Sequence, residues 1–513
     1  MAIGVLLGLC GSAIAAGKAS HFVLIVWDGM RPDLVSQENT PTLFEMSHRG
    51  VTFLHHHPVY VSSTEVNGTA LATGVYPGES TIIGNDEFRP LIDPRIPVQT
   101  QSLGTIRKGD SVMEGHFLAV QTVSEILHEK GLRTAVAGSK PVAVLHDRAE
   151  RGDDSPGVTV FAGDTLPKSV KGQLTGALGA FPPSGATKTN IDQWTTSALI
   201  TQLWKDGVPS YSLLWMAEPD YSQHKFSPGA PEPMAGIRNC DNCLARVLQA
   251  LKEKNVEDST DIILVSDHGF STIQEFVDVG ATLNQAGLHA FRKMPENPNP
   301  GDIMLVTEGG AVLCYVTGHD TGTIEKAVHF LQTQPSTGVL FTQKAVEGTF
   351  PLAKAHMESP FAPDIVVVMR WNIDTNKFGV PGMMYCDHEY GVGNKASHAT
   401  LSPTEMHNTG FAFGPDFIPG KSDSMPTGNI DIAPTILWIL GIEPKTKMSG
   451  RVLSEALTGA TSAPDAVETH RDEASWQGNG IIWRQYLETS TVGGVDYFDK
   501  GNGAQESSQA GAK

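Results

Sequence analysis

Cysteine is scarce: five residues in a chain of 513, too few to build a disulfide scaffold. Positive charge is also short. Lys and Arg total 37 against 56 Asp and Glu, a net −19 with His neutral, which argues against a phosphate-backbone binder and leaves no expectation of a nucleic-acid duplex partner. No apolar run reaches about 18 residues, which argues against a polytopic membrane protein and predicts no transmembrane span. What remains is the composition of a large globular chain: 40% hydrophobic and 18% charged residues, with 53 Gly and 32 Pro for turns and loops. The length exceeds one ordinary domain, although large α/β sheets stretch that expectation.

The first sixteen residues are uncharged, mostly apolar, and end in Ser12-Ala13-Ile14-Ala15-Ala16. Small residues at A-x-A spacing after an apolar stretch resemble a secretory signal peptide, so the protein is expected to be secreted or periplasmic. Cys240, Cys243, Cys314 and Cys386 lie beyond it. The Cys240-x-x-Cys243 spacing falls within a helical apolar period (Leu244, Val247, Leu248, Leu251), which favours half-buried helix cysteines over a redox or metal motif.

Apolar runs at His21–Trp27, Thr134–Ala137, Tyr211–Met216, Asp261–Ser266, Ile365–Met369 and Gly410–Phe413 read as strands. Helical periods fall between several of them, at Ser124–Lys130, Asp192–Lys205, Asn239–Lys254 and Ile432–Leu440. This alternation predicts an α/β fold, a largely parallel sheet with helices on both faces. Two stretches break the rhythm. Pro90–Glu114 reads as loop. Residues 271–395 hold the cluster Pro295, Pro298 and Pro300 and strand and helix patterns of their own (Ala311–Thr317, Thr323–Gln332), and read as an inserted cap subdomain. The catalytic core is then 21–270 with 396–457. Residues 458–513 form a polar C-terminal extension whose last dozen residues are expected to be disordered.

The chemistry-bearing residues collect at predicted strand ends. Asp28 ends the first strand, Asp220 follows another with His224 four residues on, Asp267 and His268 end a third, and His398 precedes a further one. Parallel strands deliver such residues to one sheet edge, where ligands of α/β sheets bind. Three carboxylates and three imidazoles without a thiolate suit zinc first, and manganese or iron second. Six ligands suffice for two metal ions, an arrangement that serves phosphoryl displacement. A nucleophile is available among Ser62, Ser63 and Thr64, just before a predicted helix whose N-terminus favours a phosphate. The triplet His55-His56-His57 reads instead as a solvated loop before Pro58, because three consecutive extended side chains cannot all face one ion; His128 and His146 read as ordinary.

These motifs resemble the alkaline phosphatase superfamily and, within it, the type I phosphodiesterase/nucleotide pyrophosphatase family. The resemblance runs from about residue 21 to 457 through Asp28-Gly29, Thr40-Pro41, Thr64 with Asn67, Thr73-Gly74, Asn85, Glu218-Pro219-Asp220 with His224, Asp267-His268-Gly269 and the closing Asp431-Ile432-Ala433-Pro434 helix. It implies an alkaline phosphatase-like fold, a metal-dependent phosphoric ester hydrolase with two divalent ions, zinc in the first place, and a small phosphate ester as substrate. It also implies Thr64 as nucleophile through a phosphothreonine intermediate, and Asn85 as donor to a phosphoryl oxygen. One ion takes Asp28, Thr64, Asp267 and His268; the other takes Asp220, His224 and His398. Ala399 stands where Gly usually follows His398, which leaves His407 as a competing ligand. Glu65 replaces the aromatic of nucleotide-cleaving members and shifts the expectation away from nucleotides. Phosphomonoester or phosphonate hydrolysis on the same site, and a non-catalytic binding protein retaining the fold, are the alternatives; the absence of a Cys/Ser-x-Pro-x-Arg segment argues against a sulfatase.

Overall fold

The computed structural model describes residues 17–149, 152, 155–185, 187–460 and 465–507. The signal-peptide expectation lies outside these described residues. Nine strands make the central sheet: β1 (His21–Trp27), β2 (Val51–His57), β3 (Thr134–Gly138), β4 (Gly157–Phe161), β5 (Asp164–Leu166), β6 (Tyr211–Met216), β7 (Thr260–Val265), β8 (Gly410–Phe413) and β9 (Lys421–Gly428). Their order is β9-β2-β8-β7-β1-β6-β3-β4-β5. Five of the eight neighbouring pairs are parallel (β9 with β2, β7 with β1, β1 with β6, β6 with β3, β3 with β4), so the sheet is largely parallel as the alternation predicts. β8 runs antiparallel to both its neighbours. The C-terminal ends of β1, β2, β3, β6 and β7 therefore share one edge with the start of β8.

The sheet is covered on both faces because its strands are apolar on both. Along β1, Phe22, Leu24 and Val26 enter one core while Val23, Ile25 and Trp27 enter the other, the period-2 alternation of a strand with no solvent face. Helices Pro231–Glu253 and Thr189–Ser197 pack on the second core. Cys240 and Cys243 lie on the first of these, fully buried and unbridged, as are Cys314 and Cys386. Among the described residues no helix is long and apolar enough to cross a membrane.

Beyond the core, residues 289–369 contribute a six-stranded sheet and residues 271–397 a four-stranded one. At the margins of the inserted stretch, Ser271 and Thr272 pair antiparallel with Ser397 and Ala396, so the excursion leaves and returns at adjoining points.

Three expectations are corrected. Pro90–Glu114 is not all loop, since Leu103–Val112 is a helix capped by the Ser102 side chain; Gly104 and Gly109 weaken its helical signal, and burial of Ile106, with Gly109 lying against Phe117, supplies the support. The extension is a three-stranded antiparallel sheet, Val467–Gly478, Ile481–Val492 and Val495–Ser507. The last dozen residues are thus strand as far as Ser507, and 508–513 lie outside the described residues. This sheet looks polar because only one face is covered, with Trp483 donating to the Gly348 carbonyl and Gln485 bridging the Leu340 backbone in the inserted stretch. Lastly, the His55–His57 segment is the end of β2, with His56 and His57 buried.

Candidate active site

Asp28 follows β1, and the chain turns sharply at Gly29, whose φ is +68°. A Cβ there would stand 3.0 Å from the Phe270 ring and 3.1 Å from Asp220, so glycine is required both by conformation and by space. The Gly29 N–H donates to Oδ1 of Asp267 at 2.9 Å, tying the end of β1 to the end of β7. Asp220 opens the helix Asp220–Phe226 after β6, which sets His224 one turn on, its Nε2 3.1 Å from Asp220 Oδ1. His398 sits beyond the inserted stretch, its ring stacked at 3.8 Å on His268 and its Nε2 3.9 Å from Asp220 Oδ1. Ala399 next to it holds φ +81°, the backbone glycine favours. His407 lies elsewhere, against His57.

The three imidazoles are held alike. Nδ1 of His224, His268 and His398 each stands 2.9 Å from a backbone carbonyl, of Ala396, Gly269 and Ser62 respectively. A carbonyl only accepts, so each Nδ1 carries the hydrogen and each Nε2 is the nitrogen turned to the carboxylates, the orientation metal-binding histidines use. The Nε2 atoms face carboxylates: His268 lies 3.3 Å from Asp267 and 3.9 Å from Asp28. Asp28 Oδ1 and Asp267 Oδ2 are buried with no hydrogen-bond partner. Burial and the neighbouring Asp267 carboxylate push Asp28 well above the usual carboxylate range, and burial raises Asp267 to about 7. Orphaned carboxylate oxygens beside imidazole nitrogens form a donor set that fits divalent cations. At this edge, two groups of described residues have all ligand atoms within 4.8 Å: Asp28 with Asp267 and His268, and Asp220 with His268 and His398.

Thr64 is the first residue of a fully buried helix, Thr64–Thr73, that closes at Gly74 in the left-handed conformation. Its hydroxyl lies 3.4 Å from His268 Nε2. Asn67 fixes the preceding loop: its side chain accepts from Val59 N–H and donates to the carbonyls of Val59, Val61 and Ser63. Asn85 accepts the Glu65 N–H on its Oδ1 at 3.0 Å, leaving Nδ2 as the donor end of the amide. All seven residues expected to hold metal, and Asn85, are thus gathered at one sheet edge.

Three further groups escaped the sequence reading. Lys140, just past β3, places Nζ 2.9 Å from Asp28, 3.0 Å from Asp220 and 3.3 Å from the Thr64 hydroxyl. Burial alone would lower its pKa, but Asp220, Asp28, Asp267 and Glu65 together raise it well above the usual lysine value. From the inserted stretch, Glu308 accepts the backbone N–H groups of Asn85 and Asp86, and the Tyr390 hydroxyl stands 3.3 Å from His224 Nε2. Lys140 was findable, since β3 ends at the same edge as β1 and β6; Glu308 and Tyr390 carried no local signal. Glu65 is buried, and burial lifts its carboxyl to about 8 against the opposing pull of Lys140.

Comparison with known proteins bears on the family and the fold. The family model for type I phosphodiesterase / nucleotide pyrophosphatase matches residues 22–377. Mouse bis(5'-adenosyl)-triphosphatase enpp4 is 21% identical over 447 residues, covering 86% of this chain and 82% of that protein. Human ectonucleotide pyrophosphatase/phosphodiesterase family member 7 is 24% identical over 260 residues, 50% of each chain, so the chain matches about half the length of that relative. Among solved structures, human ectonucleotide pyrophosphatase/phosphodiesterase 5 superposes with a TM-score of 0.60 at 16% identity, over 86% of this chain and all of that one. An inactive variant of the murine protein in complex with AMP gives 0.59 at 15% identity, over 85% of this chain and 100% of that one.

Proposed function

Because the chain belongs to the type I phosphodiesterase/nucleotide pyrophosphatase family of the alkaline phosphatase superfamily, and is thereby a hydrolase of phosphoric esters, we propose that it cleaves a small phosphodiester by a double displacement through Thr64. The observation that carries this reading is the shared aim of three Nε2 atoms and three carboxylates beside one threonine hydroxyl.

In the first step Thr64 Oγ1 gives up its proton to solvent and bonds to phosphorus in line with the leaving oxygen. The bond to that oxygen breaks, and the departing alkoxide takes up a proton from solvent. In the second, water attacks the phosphothreonine, releasing a phosphomonoester and restoring the hydroxyl. Asp28, Asp267 and His268 with Thr64 would hold one divalent cation, and Asp220, His224 and His398 a second, zinc matching the nitrogen and oxygen donors. Such ions supply charge that acidifies the threonine hydroxyl and neutralises phosphoryl oxygens. Lys140 adds a fixed ammonium donating to Thr64 Oγ1, and Nδ2 of Asn85 donates to a non-bridging oxygen.

A small nucleotide-like ester is compatible with the site, given that the related murine protein is described with AMP. Export to the periplasm or medium rests on the apolar, small-residue-terminated segment Met1–Ala16. The test is turnover of bis(p-nitrophenyl) phosphate against p-nitrophenyl phosphate, with metal content measured on the same sample. Faster cleavage of the diester supports the reading; preference for the monoester replaces it with a phosphomonoesterase.

A further inference from the structure

The buried histidine that ends β2 is held in the same way as the histidines of the candidate active site. Nδ1 of His57 stands 3.0 Å from the Thr427 carbonyl on β9. That nitrogen therefore carries the hydrogen, and Nε2 meets Oδ1 of Asp499 at 3.2 Å, a contact that a proton on Nε2 or a cation between the two atoms bridges. Nε2 of His407 points to the same oxygen from 4.0 Å, and the two imidazole ring centres are 4.7 Å apart. The other oxygen of Asp499 is engaged, accepting the Ser490 hydroxyl at 2.8 Å. One carboxylate oxygen thus meets two imidazole nitrogens, and the three ligand atoms lie within 4.8 Å of one another.

Backbone contacts fix this meeting. Asn408 donates its N–H to the His56 carbonyl at 2.9 Å, which seats His407 beside the end of β2. Asp499 comes from the last strand of the C-terminal sheet. His57 is fully covered, while His407 and Asp499 are 28% and 27% exposed, so the cluster has a solvent mouth. His55 stands at that mouth, its ring centre 6.1 Å from His407. None of these side chains belongs to the candidate active site.

We propose that His57, His407 and Asp499 form a separate binding site for a divalent transition metal of the zinc class, with water completing a four-coordinate shell. Two neutral imidazoles and one carboxylate form a borderline N/O set with an open position, the pattern zinc accepts. The carbonyl behind His57 and the hydroxyl behind Asp499 are the outer contacts that orient such ligands. The ion would tie the C-terminal sheet to the edge of the central sheet, so its binding stabilises the folded chain.

The test uses the full-length protein equilibrated with buffered zinc and desalted. Zinc per chain is then measured for wild type, His407→Ala, Asp499→Asn and Asp267→Asn. His407→Ala and Asp499→Asn are expected each to hold one zinc fewer than wild type, with turnover of bis(p-nitrophenyl) phosphate preserved. Asp267→Asn should keep this zinc, whereas His407→Ala should show a smaller zinc-dependent rise in unfolding temperature than wild type, the part that the active-site ions supply. Unchanged zinc content in folded His407→Ala and Asp499→Asn overturns the site. Should these variants fail to fold, anomalous scattering at the zinc edge from wild-type crystals decides: a peak among the three side chains supports the site, and none at saturating zinc refutes it.

Discussion

Lys140 donates from Nζ to the Thr64 hydroxyl across 3.3 Å, although 76 positions separate them in the chain. The same ammonium lies 2.9 Å from Asp28 and 3.0 Å from Asp220, so it stands among the carboxylates expected to hold both cations. A fixed cation beside the attacking oxygen stabilises it as negative charge develops. Lys140→Met is therefore expected to lower kcat by about 100-fold with a smaller change in KM. Steady-state kinetics with bis(p-nitrophenyl) phosphate checks this, and an unchanged kcat would remove Lys140 from the mechanism.

Thr64→Ala removes the hydroxyl oxygen on which the proposed covalent intermediate forms. Turnover should fall by at least about three orders of magnitude, while the carboxylate and imidazole ligands keep the metal content unchanged. Metal analysis alongside the rate separates loss of the nucleophile from loss of the ions; full activity refutes the assignment.

Asp28 and Asp267 carry buried oxygens without hydrogen-bond partners, and Lys140 alone does not bring their carboxyls down to the usual range. Chelation should abolish turnover and lower the unfolding temperature together, and zinc should restore both. A chelated protein that still cleaves diesters at the original rate would exclude metal from the reaction.

The gathering of the candidate active-site residues was largely legible in the sequence because the chemistry sits where strands end. An apolar run buried on both faces marks its own boundary, and Asp28, Asp220 and Asp267-His268 fall just past such boundaries. What escaped has physical reasons. A lysine after Gly138-Ser139 reads as a surface residue until the neighbouring strands place three carboxylates around it. Glu308 and Tyr390 come from a stretch whose return to the core is a long-range pairing with no local trace. The C-terminal sheet did carry a signal that polarity obscured. Asn479-Gly480 and Gly493-Gly494, all at positive φ, are the two-residue turns that join tight hairpins.

Asp261, away from the site, predicts a pH effect on stability. Burial, and then the Asp416 carboxylate, raise it to about 8. The unfolded carboxyl ionises near its ordinary value, so below about pH 4 both states hold the proton and there is no penalty. Stability should then decline as pH rises from about 4 to about 8 and level off above. Asp261→Asn, neutral throughout, should flatten that portion of a plot of unfolding temperature against pH; an identical slope in the variant would show that Asp261 does not titrate in this way.

The pairing of Ser271 and Thr272 with Ser397 and Ala396 closes the neck of a long excursion. Residues can be gained, lost or rearranged inside it without altering the spacing between His268 on one side and His398 on the other. Selection can thus redraw the groups this stretch brings to the site, Glu308 and Tyr390 among them, at one evolutionary tempo, while the cradle for the proposed cations is kept at another.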